Sequence, residues 1–280
     1  MVEHRPWLTF LTHATLLLGM GIIVFPIYVT FVASTHTLEE IATRFPLVPG
    51  SHLVENYIRA LSLGPRDVGS TVGQMMLNSL IMALGITFGK IAISLLAAFA
   101  IVYFRFRLRL FFFWLIFITL MLPVEVRILP TYKVAADLKL LNSYAGLILP
   151  LIASATATFL FRQFFMTVPD ELCEAVRIDG GGPVRFFFDI LLPMSRTSIA
   201  ALFVILFIYG WNQYLWPLLI TTHENYYTVL IGIKRMLDVG EGQAEWHIIM
   251  ASTMLAMIPP VLVVIFMQKQ FIRGMTETEK

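Results

Sequence analysis

The sequence predicts an all-α, polytopic membrane protein with six transmembrane helices and one short helix on the cytoplasmic side. Three observations carry that expectation. Hydrophobic residues make up 58% of the chain and charged residues only 14%, with a mean hydropathy of +0.79. A soluble domain carries about 25% charged residues, so this chain has too little polar side chain to cover a water-facing surface. Six apolar stretches are each long enough to cross a hydrocarbon core, which takes roughly 20 helical residues at about 1.5 Å each. Between them, Lys and Arg are unevenly shared between the two sides.

The spans are expected at 12–33, 75–103, 110–130, 144–163, 198–220 and 247–267, within a single transmembrane domain covering 1–280. Lipid offers the backbone no hydrogen-bond partners, so each span is expected to be helical. The first is longer than the 7–15 apolar residues of a cleaved signal and is read as retained. With both termini cytoplasmic, the inner side holds eleven Lys and Arg and the outer side eight. The short RFRLR turn (105–109) is the strongest local vote for that orientation. Trp7, Trp114, Trp216 and Trp246 fall near span ends, where an indole suits the headgroup level.

Several function classes are excluded. Cys173 is the single cysteine, so there is no intrachain disulfide and no cysteine metal cluster. The six histidines are scattered without metal-binding spacing. A net charge of +2 does not suggest nucleic acid. GITFGK (85–90) is one residue short of a phosphate-binding loop, has Ile91 where Ser or Thr is needed, and lies within a span. No catalytic residue and no bound cofactor is therefore expected in this chain. An ion-coupled carrier needs a buried carboxylate or broken helices, and the spans carry no central Asp or Glu.

A few polar residues at membrane depth are candidates for a solute pathway, because such groups are costly in lipid. Lys90 sits midway along the second span, where it lines a pathway, pairs with a neighbouring helix or snorkels. Arg127 lies at the outer end of the third span, past Pro123, and either meets an anionic solute or pairs with Glu125. Asn212, Gln213, Tyr214 and Trp216 come from GWNQYLWP in the fifth span. Asn212 and Trp216 are four apart and would share a helix face. Pro217 is expected to bend that span. Asn78 and Ser79 open the second span, facing solvent or another subunit. Gly85 and Gly89 allow a helix to approach closely, most simply within the chain.

The sharpest signal is the inner loop at about 164–197. Pro169 suits a first helical turn, and Asp170 and Glu171 suit the positive end of the helix dipole. The helix is expected to run to about Asp179, where Gly180, Gly181 and Gly182 end it before Pro183. Leu172, Ala175, Val176 and Ile178 give it an apolar side. Acids outnumber its single Arg177, which argues against a helix that merely lies on anionic lipid.

Glu174-Ala175-Val176, Gly180, Ile190, Leu192 and Pro193 resemble the EAA signature of binding-protein-dependent ABC importer permeases. Every fixed position matches except Val176, where Ala is usual. The resemblance implies a coupling helix that docks on a cytoplasmic ATPase subunit, with Glu171 and Asp179 on the same element. It further implies a second permease subunit, two ATPase subunits that bind ATP and Mg, an extracytoplasmic solute-binding protein and a bacterial inner membrane. The stretches 119–134, 143–151, 153–172, 201–219 and 271–280 are similar to carbohydrate-type permeases, in particular those of sn-glycerol-3-phosphate importers. That likeness implies sn-glycerol-3-phosphate as solute, with glycerophosphodiesters, sugars and polyols as alternatives.

Overall fold

The computed structural model describes residues 6–63, 68–119, 122, 124–238 and 244–276. Every regular element among them is helical. In chain order they are α1 (Pro6–Ser34), α2 (Leu38–Thr43), α3 (Leu53–Ile58), α4 (Val72–Tyr103), α5 (Arg109–Ile118), α6 (Val124–Asp137), α7 (Tyr144–Ile148), α8 (Ala155–Phe165), α9 (Asp170–Ile178), α10 (Pro183–Phe186), α11 (Leu192–Met194), α12 (Arg196–Trp211), α13 (Leu215–Ile220), α14 (Val229–Leu237) and α15 (Trp246–Thr276).

Three helices are long and apolar enough to span unaided: Trp7–Ser34, Val72–Tyr103 and Trp246–Lys269. Counting each of two bent pairs as one span raises the number to five. By length and composition the structure thus holds three to five candidate spans, and three of the six expected stretches are interrupted. The expected third span is two helices, α5 and α6, and Pro123 between them lies outside the described residues. The fourth is bent by 49° between Tyr144–Leu151 and Ala155–Phe165. The fifth stops at Trp211 and resumes at Leu215.

Proline accounts for the third of these interruptions. A proline has no N–H for the carbonyl four residues earlier, and its ring collides with that carbonyl. Pro217 therefore breaks the fifth span one turn upstream, at Gln213, rather than bending it at the proline itself. Pro150 likewise cannot serve the carbonyl of Gly146. That carbonyl instead accepts the indole N–H of Trp216 at 3.1 Å. Trp216 is thus buried inside the chain, 3% exposed, whereas Trp7, Trp114 and Trp246 are exposed.

The chain divides into two compact units. The first combines Met1–Gln74 with Gly232–Met257. In it the segment after α1 is stitched down by buried polar groups. Asn56 donates to the carbonyls of Ser34 and His36, both at 2.9 Å, and Thr35 Oγ1 accepts the Gly50 N–H at 2.7 Å. Arg59 and Glu245 form an ion pair. Helix α1 presents apolar side chains on nearly all sides, with only 11% of its most apolar window buried.

The second unit combines Met75–Ile231 with Ile258–Lys280. It has two cores. One gathers Leu95, Phe99, Phe161, Phe165, Phe187 and Leu191. The other gathers Met82, Ile86, Leu147, Trp216 and Ile220. Asn78 and Ser79 are fully inside this unit, which corrects the expectation that they face solvent or another subunit. Asn78 donates to the carbonyls of Asn225 and Tyr227 at 2.8 and 2.9 Å and accepts from the Tyr144 hydroxyl at 2.7 Å. Ser79 accepts the Val229 N–H at 2.9 Å.

Gly85 and Gly89 pack within the chain, against Ile148 and Ile152. A Cβ on Gly85 would lie 2.6 Å from Ile148 Cδ1, the far end of a side chain that can rotate away. A Cβ on Gly89 would lie 2.5 Å from Ile152 Cγ2 and 2.9 Å from its Cβ, which cannot. Gly89→Ala is expected to destabilise by about 1–3 kcal/mol and Gly85→Ala by less. Melting of the detergent-solubilised chain checks this, and equal effects would contradict the packing described.

Candidate functional site

The inner loop folds as its punctuation suggests. Pro169 precedes α9 with an extended ψ of 137°, and Asp170 and Glu171 occupy the first turn. At the other end Asp179 caps the helix and Gly180 turns the backbone left-handed at φ +75°. The Gly180 N–H then bonds the Arg177 carbonyl at 3.1 Å, and the Gly181 N–H bonds the Val176 carbonyl at 2.7 Å. This paired closure satisfies two carbonyls that the helix end would otherwise leave open. A Cβ on Gly181 would lie 2.6 Å from Val176 Cγ1, so Val176 fills the space that the glycine vacates.

The helix has two distinct faces. Leu172, Cys173 and Val176 are half-buried and pack on the aromatic core. Glu171, Glu174, Ala175, Arg177 and Asp179 are exposed, and Ile178 is 85% exposed. The apolar side expected from sequence is therefore split: Leu172 and Val176 turn inward, while Ala175 and Ile178 turn outward. Ile190 and Leu192 pack on the same core and Pro193 is half-buried. The loop's acidic half thus faces out while its Ile-x-Leu-Pro half anchors it.

That anchor reaches the membrane helices through rings that the sequence reading missed. Tyr103, at the end of α4, meets Phe186 edge-on at 5.0 Å and donates its hydroxyl to the Phe165 carbonyl at 3.2 Å. Phe99 meets Phe187 at 5.0 Å. These contacts tie the loop to α4 and α8 through a close-packed interior.

A second site lies within the same compact unit. A cavity of about 120 Å³ is bordered by Lys90, Arg127, Thr131, Tyr209, Gln213 and Trp216, together with Pro150 and Ala153 from the bend between α7 and α8. The helix breaks are what open it, and irregular backbone at membrane depth is tolerated where it lines a cavity. Lys90 is 7% exposed, with its ammonium 3.8 Å from the centre of the Tyr209 ring. It therefore does not snorkel. Arg127 is exposed, and the Glu125 side chain, its expected partner, lies outside the described residues. Among the described residues lining the cavity there is no carboxylate.

Of the six candidate pathway residues, Lys90, Arg127, Gln213 and Trp216 meet at this cavity. Asn212 and Tyr214 do not line it. Asn212 is the exposed cap of α12 and Tyr214 precedes α13, so the break between those helices also removes the shared face expected for Asn212 and Trp216. Gln213 donates its amide N–H to the Tyr209 carbonyl at 3.1 Å. Tyr209 was not among the sequence candidates; its position one turn before Gln213 was the available signal.

Residues 90–277 match the family model described as binding-protein-dependent transport system inner membrane component. The chain belongs to this family. The permease is 57% identical to the sn-glycerol-3-phosphate transport system permease protein UgpE of Escherichia coli strain K12 over 281 residues, covering 100% of both chains. Its identity to the protein of the same name from Shigella dysenteriae serotype 1 is 58%, again over the full length of both. Among solved structures, it matches a crystal structure of a bacterial ABC transporter involved in the import of the acidic polysaccharide alginate. That match has a TM-score of 0.83 and 18% identity, covering 97% of this chain and 99% of the other, and it establishes the permease fold.

The turn after α9 gives a local test. Gly180→Val is expected to cost the loop about 1–2 kcal/mol, because a side chain resists the left-handed backbone. Gly182→Ala should cost little, since Gly182 has open space around it and an ordinary φ of −91°. Limited proteolysis between Ile178 and Val184 should therefore accelerate in the first variant alone.

Proposed function

We propose that the chain is a permease subunit that carries sn-glycerol-3-phosphate across a bacterial inner membrane. Full-length identity of 57–58% to sn-glycerol-3-phosphate permeases is the observation that carries this reading. A cavity at membrane depth bordered by two cations suits an anionic solute better than a neutral sugar. Glycerophosphodiesters share the phosphate and fall within the same reading; a sugar or polyol is the alternative.

The permease works, in this reading, beside a second permease subunit, two cytoplasmic ATPase subunits that bind ATP and Mg, and an extracytoplasmic solute-binding protein. Six crossings follow if α5 with α6, α7 with α8, and α12 with α13 each count as one interrupted span. Both termini are then cytoplasmic, in line with the distribution of Lys and Arg. This places the outward face of α9 toward the ATPase. Glu171, Glu174, Ala175 and Asp179 form the contact. Gly180 sets the turn, and Val176, Ile190, Leu192 and Pro193 seat the loop on the aromatic core. Closure of the ATPase pair pushes α9, and the ring contacts with Tyr103, Phe186 and Phe187 pass that push to the spans.

Two measurements test the proposal. In liposomes containing the assembled transporter, solute-loaded binding protein should stimulate ATP hydrolysis with sn-glycerol-3-phosphate and not with maltose. Stimulation by maltose alone would replace the solute and keep the permease. Glu174→Arg should lower stimulated hydrolysis about tenfold or more, the scale for reversing a charge at a docked interface. Wild-type stimulation in that variant would remove Glu174 from the contact.

A further inference from the structure

We infer that Lys90 and Arg127 form a phosphate-binding station inside the membrane domain, with Tyr209 and Gln213 completing it. The inference rests on sn-glycerol-3-phosphate being the solute and names where this chain holds it. Both cations border one cavity of about 120 Å³. That is room for about four water molecules at roughly 30 Å³ each, the scale of a phosphate head with part of its glycerol.

A buried ammonium normally has a carboxylate beside it, because removing a charge from water costs several kcal/mol. Lys90 is 7% exposed, yet its close neighbour is the face of Tyr209 at 3.8 Å. A ring face steadies an ammonium without neutralising it. No carboxylate among the described residues lines the cavity. Among the described residues the ammonium therefore meets a ring face and no counter-charge, which suits a ligand that brings one. A phosphate monoester supplies what is missing: up to two negative charges and three acceptor oxygens. The Arg127 fork can take two oxygens side by side, while the Lys90 ammonium acts as a point charge.

The remaining polar groups fit the other end of the solute. Gln213 donates an amide N–H to the Tyr209 carbonyl at 3.1 Å, which holds its amide beside the cavity, where it can meet a glycerol hydroxyl. Thr131 spends its hydroxyl on the Arg127 carbonyl at 2.7 Å, which pins the turn of α6 that presents the guanidinium. The station thus recognises an anion at one side and a hydroxyl at the other. Glycerol alone would leave both cations without a counter-charge.

The test uses the assembled transporter without its binding protein, and sn-glycerol-3-phosphate as the probe. Millimolar probe should raise the melting temperature of the wild type, because a ligand stabilises the state that binds it; glycerol at the same concentration should not. Lys90→Gln and Arg127→Gln should each abolish the rise, and Lys90→Arg, which keeps the charge, should retain it. In proteoliposomes supplied with loaded binding protein, Lys90→Gln should slow uptake about tenfold or more, the scale of one lost charge-assisted hydrogen bond. An equal rise in all variants, or with glycerol, overturns the station. So does uptake by the wild type with no rise, which leaves the transport function standing. Failure of the wild type to take up the probe removes the solute reading and the station with it.

Discussion

Backbone polar groups at membrane depth need partners, and lipid offers none. The prolines of this chain make that constraint visible. Pro150 takes away the donor that would have served Gly146, and the Trp216 indole replaces it at 3.1 Å. One side chain thus closes the gap left by an interrupted span on another helix. The end of α13 is held to the same neighbourhood, because the Asn142 N–H bonds the Ile220 carbonyl at 3.0 Å. Asn78 performs a similar service for the carbonyls of Asn225 and Tyr227. With those groups satisfied, the chain tolerates bends in its spans, and the bends leave room for a cavity lined by Lys90 and Arg127.

Helix α9 obeys a different constraint. It has only nine residues, too few to be stable alone in water. Leu172, Cys173 and Val176 give it a seat on the aromatic core, while the glycine turn after Asp179 closes its carbonyls. Because the seat is made of packed rings, α9 is fixed to α4 and α8 instead of swinging on a flexible linker. Its outward residues are left exposed, and the inward ones join it to the aromatic core. In the proposed coupling role, the contacts that transmit a push are the same ones that hold the helix in place.

Much of this was legible in the sequence. Composition and six apolar stretches announced a helical membrane protein. Pro169, the first-turn acids and the three glycines marked α9 to within a residue of its observed end. The pairing of Gly85 and Gly89 with neighbours inside the chain was also foreseen. Less legible were the interruptions. Hydropathy averages over a window and cannot tell one straight helix from two joined by a bend, so 110–130, 144–163 and 198–220 read as continuous. Asn78 and Ser79 looked like residues at a solvated helix end. Trp216 read equally as an interfacial indole or as a pathway residue, and only packing placed it beside the cavity.

The sequence by itself determined that the chain is built of apolar helices and where the loop after α9 turns. These depend on local chemistry: transfer of apolar side chains out of water, the missing N–H of proline and the freedom of glycine at positive φ. Only the tertiary structure decided which groups meet. Lys90 and Tyr209 are far apart in the chain, as are Trp216 and Gly146, and nothing local specifies either contact. Whether Lys90 would snorkel, pair or face a cavity depended on what α6, α12 and the α7–α8 bend brought to its side, and packing supplied a ring face, a second cation and open space.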